Sequence, residues 1–308
     1  MNREQAIQAI DKIRVWQKGD KRAPHKPLLV LLALARFLQG QPEPVAFTEI
    51  EPQLKELLDE FGPANSSDSR HYPFWHLHTD GDGAIWQLSG PERILSRPPR
   101  ATPSLTELRE HKIEGGFSPG LRAAFEEDVS LVPDIANRLL HAHFPETMRQ
   151  AVLDAVGLDI AFLPAVGVME DRPDQARDSK FRSRVLMAYE YRCCVCNHDL
   201  RLGRAHVGLE AAHIKWVQAG GPNVGPNGLA LCSLHHTLFD YGAFTILPDS
   251  YQVAYSQQAI AGESTKANLL AHHGQAIRNP QSRSDRPDGQ YLQWHYREVF
   301  KRPEREFE

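Results

Sequence analysis

The four cysteines of this 308-residue chain all lie in one short stretch, between positions 193 and 232. Cys193 and Cys196 are separated by two residues, and Cys232 and His235 repeat that gap after 35 intervening residues. Two such pairs supply the sulfur and imidazole ligands of a tetrahedral Zn²⁺ site, which is structural because no ligand position stays open. Ordinary buried cysteines have no reason to adopt paired spacing, and a disulfide framework would spread more cysteines along the chain. We therefore predict a structural zinc site, with Cys194 left over as a packed, neutral thiol.

Charge and hydropathy exclude several classes of protein. The chain carries 35 basic and 39 acidic side chains, a formal charge of −4, so any nucleic-acid binding must come from local patches. The longest apolar run, residues 27–35, is half the length of about 18 residues that a membrane span needs. The first residues contain no apolar signal segment. We expect a cytoplasmic protein with no membrane partner.

The pattern of apolar residues predicts an α+β chain of two domains. We place the first domain at 1–158, a linker rich in Pro, Gly and acidic residues at 159–178, and the second domain at 179–308. The predicted elements are helices at 3–17, 27–39 and 48–62, strands at 71–78 and 84–88 joined by the turn 80–83, short helices across 104–157, and helices at 180–191 and 291–302. The first domain is therefore expected to be helix-rich and winged-helix-like, with a β-hairpin. Its third helix should open at a capping box of Thr48 and Glu51 and end at Gly62.

A second set of polar residues surrounds the predicted zinc site. His213 ends the strand-like run 209–214, Asn227 precedes another short strand, and His236 follows His235 directly. A neutral imidazole can take a proton from water, and a second imidazole can hold a divalent cation that polarises a phosphate. An asparagine amide can orient the base or its loop without adding charge. The spacing alone leaves His235 and His236 as alternative partners of Cys232, at i+3 and i+4 on one helix.

At these residues the chain resembles the HNH, or ββα-metal, nucleases. The resemblance covers about residues 179–246 and rests on Cys193–Cys196, Glu210-Ala-Ala-His213-Ile, Asn227-Gly-Leu, Cys232-Ser-Leu-His235-His236 and Phe239-Asp240. It implies a catalytic set of three residues, with His213 as general base, Asn227 as the middle residue of the motif and His236 as a ligand of the catalytic ion. The same resemblance gives His235 to the zinc.

One position departs from the HNH pattern. Many HNH enzymes carry an acid or a histidine directly before the base as a further metal ligand, and here that position is Ala212. The ion would then depend on few protein ligands, with DNA phosphate and water completing its shell, an arrangement that Mg²⁺ tolerates and that we extend to Mn²⁺. Glu210 and Asp240 are candidates for carboxylates that either bind the ion or support its ligands.

The first half contains a basic run and an aromatic run. Residues 12–26 hold six basic side chains against one acid and end in the stiff segment Pro24-His25-Lys26-Pro27. The alternative to a phosphate-facing loop is an ordinary solvated face. Residues 72–75 read Tyr-Pro-Phe-Trp, of which we assign Phe74 or Trp75 to the core and expect Tyr72 and Pro73 to be exposed at a strand start.

With these two runs, the first half resembles the sulfur-binding domain of phosphorothioation-dependent restriction endonucleases, over about residues 1–155. The resemblance implies that Tyr72 and Pro73 form an apolar cup for a phosphorothioate sulfur. His25 and Lys26 would contact the same backbone group. An oxygen in such a cup would lose hydration, which gives the discrimination. Four further positions complete the expected surface, with a histidine on the rim of the cup and basic side chains on neighbouring phosphates. These are His76 on the rim and Arg22, Lys21 and Arg70 on phosphates.

The two resemblances together imply a type IV, modification-dependent restriction endonuclease that binds double-stranded phosphorothioated DNA. One alternative keeps the nuclease but directs it to another mark, such as methylcytosine, which usually needs an aromatic cage for a flipped base. Another is a zinc-containing DNA-binding protein whose HNH-like site is catalytically dead. One HNH site cuts one strand, so a double-strand break would require two visits or a homodimer.

Overall fold

The computed structural model describes residues 1–18, 21–62, 69–98, 101–159 and 174–306. The chain divides into two compact units, Met1–Val168 and Met169–Glu308. Most of the linker expected at 159–178, residues 160–173, lies outside the described residues. Each unit mixes helices with small sheets, which confirms the α+β class.

The first unit is built mainly from helices. Its elements are α1 (Arg3–Asp11), β1 (Trp16–Lys18), β2 (Lys21–Ala23), α2 (His25–Leu38), β3 (Val45–Ala46), α3 (Phe47–Phe61), α4 (His71–His76), a 3₁₀ segment (Leu77–Gly83), β4 (Trp86–Ser89), α5 (Glu92–Leu95), α6 (Leu105–Glu110), β5 (Glu114–Phe117), α7 (Pro119–Glu127), α8 (Leu131–His143) and α9 (Glu146–Val156). Every residue of α2 from Pro27 to Ala35 is buried, because neighbouring helices, among them α3, α8 and α9, contact it. A helix that is apolar on all sides belongs at the centre of a core, as the sequence predicted.

The strand predicted at 71–78 is wrong, because this segment forms α4 and the start of the 3₁₀ segment. A short apolar run can be helix or strand, and periodicity does not separate the two. Pro73 is compatible with α4 because it lies in the first helical turn, where a missing N–H breaks no intrahelical bond. The predicted hairpin is therefore absent, although the strand expected at 84–88 exists as β4.

The partner of β4 is β5, in an antiparallel sheet of order β3-β5-β4. The sequence predicted only helices across 104–157 and missed β5, whose sequence Glu-Gly-Gly-Phe contains two glycines. Gly115 is required there because a Cβ would lie 2.7 Å from Nε1 of the buried Trp86. A residue chosen for this close approach gives no strand signal in the sequence.

The third helix does not use its predicted capping box. α3 begins at Phe47 with Ala46 as N-cap and has no side-chain cap, so Thr48 lies inside the helix. Glu51 is buried and binds arginines instead. The predicted end at Gly62 is confirmed. The first helix is expected over 3–17 but ends at Asp11. The last residues of the expected helix, from Trp16 on, belong to β1, which pairs with β2.

The second unit carries a ββα core. Its elements are α10 (Asp174–Ala188), β6 (Arg201–Leu202), β7 (Ala205–His206), β8 (Leu209–His213), two 3₁₀ turns (Val217–Ala219 and Gly225–Asn227), β9 (Gly228–Cys232), α11 (Ser233–Asp240), β10 (Phe244–Ile246), β11 (Val253–Tyr255), α12 (Glu263–Asn268), two further 3₁₀ turns (Leu270–His272 and Arg283–Asp285) and α13 (Gly289–Glu298). β8 and β9 pair antiparallel along their full length, from Leu209 opposite Cys232 to His213 opposite Gly228. α11 starts directly after β9, which completes the expected ββα arrangement.

α10 packs closely on this hairpin. A Cβ on Gly228 would lie 2.3 Å from Cγ2 of Val185, so only glycine allows the helix this approach. The helices expected at 180–191 and 291–302 are confirmed as α10 and α13. Each observed helix begins before its expected start, and α10 ends three residues and α13 four residues before the expected end.

Candidate functional site

Four side chains of the second unit meet in one cluster, Cys193, Cys196, Cys232 and His235. Their sulfur atoms and one nitrogen all lie within 4.8 Å of one another. The Sγ atoms of Cys196 and Cys232 are 3.9 Å apart, close to the ~3.8 Å that two sulfurs on a tetrahedral Zn²⁺ would show. We call this group the Cys3His cluster. It has the donor atoms and spacing to hold a metal such as zinc.

His235 faces the sulfurs with Nδ1, which is 3.1 Å from the Cys232 Sγ and 3.8 Å from the Cys193 Sγ. Burial opposes its protonation, but hydrogen bonds to the Cys193 and Cys232 sulfurs raise the pKa of His235 to about 9. Such concentrated negative character is what a bound cation would neutralise. Cys194 points elsewhere and is buried in the hydrophobic core, as expected for the spare thiol.

His213 is the last residue of β8, and its ring lies parallel to the Phe181 ring of α10 at a centroid distance of 3.9 Å. Its Nε2 atom is 2.7 Å from Oδ1 of Asn223, an oxygen that can only accept a hydrogen bond. Nε2 therefore carries a proton and donates it to Asn223. The stacked ring and this hydrogen bond fix the orientation of the imidazole.

Asn227 is fully buried at the end of a 3₁₀ turn. Its Oδ1 accepts from the Lys215 N–H at 2.8 Å, and its Nδ2 donates to the carbonyls of Lys215 and Pro222, both at 3.0 Å. The side chain thus closes the loop that follows His213 and binds main chain on both sides. Asn227 is therefore a positioning residue.

His236, on α11, lies between two carboxylates. Its Nδ1 is 2.6 Å from Oε2 of Glu210 on β8, and its Nε2 is 3.3 Å from Oδ2 of Asp240 at the end of α11. Asp240 is almost fully buried and also accepts a hydrogen bond from Trp216 Nε1 at 3.0 Å. The hydrogen bond from His236 is the main cause that lowers the pKa of Glu210. We call these three residues the His236 cluster.

Ala212, which stands where many HNH enzymes have a ligand, is buried. Glu210 lies two residues before it on β8, and side chains two apart on a strand share a face. Both carboxylates that the sequence singled out, Glu210 and Asp240, thus lie next to His236 in the structure. Phe181, Asn223 and Trp216, which orient His213 and Asp240, carry no motif that sequence reasoning could have used.

In the first unit, Tyr72 and His76 lie one turn apart on α4. Their rings are nearly parallel at a centroid distance of 5.8 Å, and 47% of Tyr72 is exposed. Pro73 is buried, so the expectation of an exposed Tyr-Pro pair at a strand start is wrong for Pro73. Burial, followed by the positive charge of Lys26, lowers the pKa of His76. The helix α2, which carries Lys26, contacts α4.

His25 and Lys26 form the first turn of α2. Burial lowers the pKa of His25 to about 4, so its ring is neutral, and its Nε2 has no hydrogen-bond partner among the described residues. Lys26 has a largely buried side chain whose Nζ is 2.6 Å from Oδ2 of Asp80. We call His25, Lys26, Tyr72, Pro73 and His76 the candidate sulfur surface.

The structure places Arg70 away from the role expected for it. Only 12% of its side chain is exposed, and its Nε binds Oε1 of the buried Glu51 at 2.7 Å. Glu51 also binds Arg109, at 2.6 and 2.8 Å. Arg70 thus forms part of a buried ion pair instead of an open phosphate contact. Lys21 and Arg22 lie on β2, and their side chains are outside the described part of the chain.

A family model for the ScoMcrA-like DNA sulfur-binding domain matches residues 3–161, more than half of the chain. The chain belongs to this family. A second model, for HNH endonucleases, matches residues 193–247 and includes the Cys3His cluster, His213 and the His236 cluster. The sulfur-binding domain thus precedes an HNH endonuclease domain, as the motifs predicted.

Solved structures that contain sulfur-binding domains are similar to about half of the chain. The sulfur-binding domain of ScoMcrA complexed with phosphorothioated DNA is 20% identical, covering 49% of this chain and 94% of that chain with a TM-score of 0.40. The sulfur-binding domain of SprMcrA complexed with phosphorothioated DNA is 17% identical, covering 51% and 95% with a TM-score of 0.43. The type IV phosphorothioation-dependent restriction endonuclease ScoMcrA is 17% identical, covering 56% of this chain and 34% of that chain with a TM-score of 0.41.

No curated relative matches the chain. Among the described residues, none of the helices combines the length and the apolar character that crossing a membrane requires.

Proposed function

We propose that this protein is a phosphorothioation-dependent restriction endonuclease. Its sulfur-binding domain, at 1–158, binds phosphorothioated double-stranded DNA, and its HNH domain, at 179–308, hydrolyses nearby phosphodiester bonds, with residues 159–178 as the linker. The observation that carries the proposal is that one chain holds a DNA sulfur-binding domain and an HNH domain with His213 and the His236 cluster in place. The cytoplasmic location and the homodimer stay predictions.

His213 is suited to act as the general base. With the Nε2 proton donated to Asn223, the neutral ring carries its lone pair on Nδ1, the atom that would accept a proton from the attacking water. The stack on Phe181 holds the ring in one orientation. Asn227 also helps to position His213, because its side chain binds the main chain of the loop that follows β8.

The His236 cluster fits a hard divalent cation such as Mg²⁺ or Mn²⁺. It offers one imidazole nitrogen and carboxylate oxygens, the donors that these ions accept. Both nitrogens of His236 face a carboxylate, so one can bind the ion while the other donates to the remaining carboxylate, an arrangement common around metal-bound histidines. When bound, such an ion stabilises negative charge on the phosphate and on the leaving oxygen. Glu210 thus offers the metal-binding carboxylate that Ala212 does not supply.

The Cys3His cluster would hold Zn²⁺ as a structural ion. All four ligand positions are filled by protein atoms, so none is open to substrate. The cluster ties the segment after α10 to the junction of β9 and α11, and therefore places His236, the residue after its own ligand His235.

The candidate sulfur surface has the chemistry to prefer sulfur over oxygen. A phosphorothioate sulfur is larger, softer and more weakly hydrated than a phosphate oxygen. The exposed Tyr72 ring offers an apolar contact, and the neutral, buried His25 adds no charge. An oxygen placed against such a surface would lose hydration without recovering it.

The test is equilibrium binding of the full-length His213→Ala variant, which leaves the DNA uncut, to three duplexes of identical sequence. One carries a phosphorothioate, one carries 5-methylcytosine, and one is unmodified. The proposal predicts the lowest Kd for the phosphorothioated duplex, with the other two alike. A preference for the methylated duplex, or equal affinity for all three, would contradict it.

A further inference from the structure

Asp80 is a fully buried carboxylate with positively charged partners. Its side chain is 0% exposed, and its Oδ2 is 2.6 Å from Nζ of Lys26. It also accepts hydrogen bonds from the backbone N–H and the Nε of Arg14, both at 3.0 Å. Neither sequence motif contains Asp80, and the general mechanism of a sulfur cup does not require it.

The two cations of this group differ in their exposure. The side chain of Arg14 is 70% exposed, whereas that of Lys26 is 15% exposed. Burial lowers the pKa of Lys26, and the hydrogen bond with Asp80 opposes that effect. The Lys26 ammonium is therefore held in one position, where the Asp80 carboxylate offsets its charge.

This pairing matters for the choice between sulfur and oxygen. An ammonium is a hard, compact donor that forms its strongest hydrogen bonds with oxygen. A free ammonium beside the cup would attract every ordinary phosphate, since cation–phosphate attraction dominates nonspecific DNA binding. Specificity is a difference between two affinities, and it improves when the wrong ligand gains less.

We propose that Asp80 is a positioning residue that sets the preference for sulfur, because it holds the Lys26 ammonium and reduces its attraction for ordinary phosphate. The inference rests on the proposed function, since it concerns the candidate sulfur surface. A purely structural role for Asp80 would predict only lower stability and weaker binding to every DNA.

Asp82 provides a matched control on the same segment. It lies two residues further on, and its carboxylate binds Lys12 Nζ at 2.8 Å. Its side chain is 84% exposed, so Asp82→Asn removes an equal charge from the surface without touching Lys26. The control therefore separates a general change of charge from a change at Lys26.

The experiment measures the Kd of full-length protein, in the His213→Ala background, for matched phosphorothioated and unmodified duplexes at several salt concentrations. Asp80→Asn should raise the affinity for the unmodified duplex about fivefold and that for the phosphorothioated duplex less, so the preference for sulfur falls. The slope of log Kd against log salt should steepen by about 0.9, the value for one additional phosphate contact. Asp82→Asn should leave the preference unchanged. An unchanged preference in Asp80→Asn, or equal losses on both duplexes, would overturn the inference.

A second variant applies if Asp80→Asn does not fold. The double variant Asp80→Asn/Lys26→Gln removes both charges together and leaves no buried charge unpaired. It should keep a preference for sulfur, because no Lys26 ammonium is freed to attract ordinary phosphate, and its salt slope should stay at the wild-type value. A slope shallower by about 0.9 would show that Lys26 carried an open charge, against the inference. Failure of the parent protein to prefer phosphorothioated DNA would instead contradict the proposed function.

Discussion

At the scale of single residues, the HNH site depends on the contacts that orient each imidazole. The Phe181 ring and the Asn223 amide oxygen contact His213, and two carboxylates contact His236. These contacts leave little freedom at χ1 and χ2, so both rings are oriented before DNA arrives. Such preorganisation is what a catalytic site needs from its supporting residues.

Glu210→Gln should lower the rate of DNA cleavage by about 10- to 100-fold, the usual cost of losing a carboxylate at a metal-bound histidine. The neutral amide keeps the shape of the side chain but loses the charge that attracts a divalent cation. The measurement is single-turnover cleavage at increasing Mg²⁺, where the half-saturating concentration should also rise. Glu263→Gln, an exposed change on α12, is the control. Cleavage by Glu210→Gln at the wild-type rate and metal dependence would remove Glu210 from the site.

Tyr72→Ala should reduce the preference for phosphorothioated over unmodified DNA by about tenfold, because the exposed ring is the main apolar contact of the candidate sulfur surface. Tyr72→Phe, which keeps the ring, should retain most of the preference. Competition binding with the two matched duplexes measures both. Equal behaviour of the Ala and Phe variants would place the sulfur elsewhere.

At the scale of elements, the sulfur-binding domain is held together by ion pairs between segments distant in the chain. Glu51 of α3 binds Arg70 at the start of α4 and Arg109 of α6. Asp80 similarly joins the 3₁₀ segment to α2 and to the residues after α1. Removal of one partner of a buried pair leaves an unsatisfied charge, so these contacts fix how the short helices pack.

Glu51→Gln should therefore lower the stability of the sulfur-binding domain at pH 7 by about 1–3 kcal/mol. The hydrogen bond from Arg109 is the main cause that lowers the pKa of Glu51 below its ordinary 4.5. A carboxyl whose folded pKa is depressed stabilises the fold fully above the unfolded pKa and loses that effect as the pH falls through the folded pKa. The difference in Tm between wild type and variant should thus shrink below about pH 4.5. Glu56→Gln, exposed on the same helix, is the control. A difference that widens in acid would refute this account.

The sequence predicted best where the chemistry is local. The two ligand pairs of the Cys3His cluster and the run Glu210–His213 have spacings that a ββα unit imposes, so both could be recognised without a structure. The segment 71–76 could not be assigned, because its aromatic residues suit a strand or a buried helix equally. The pairing of Lys26 with Asp80 spans 54 residues, and only the folded chain brings the two together.

At the scale of the whole molecule, the protein combines two domains whose stability has different origins. The sulfur-binding domain has a large apolar core around α2, whereas the HNH domain adds the Cys3His cluster to an apolar core of its own. The first is stabilised mainly by the burial of apolar surface. The second also has four side chains placed so that they could hold a metal ion.

Removal of the metal should therefore unfold the HNH domain and spare the sulfur-binding domain. Differential scanning calorimetry of the full-length protein should show one transition shifted to lower temperature after chelation, with the other unchanged. Restoration of the transition by Zn²⁺ but not by Mg²⁺ would assign the site to zinc. A thermogram that chelation leaves unaltered would contradict a structural metal.

The central claim is that sulfur recognition and HNH cleavage belong to one enzyme. The most direct measurement is cleavage of two matched plasmids, one phosphorothioated and one unmodified, with Mg²⁺ or Mn²⁺ and with His213→Ala as the control. The account predicts cutting of the phosphorothioated plasmid only, and no cutting by the variant. Equal cutting of both plasmids would contradict sulfur recognition, and cutting that survives His213→Ala, or no cutting of either plasmid, would contradict the nuclease site.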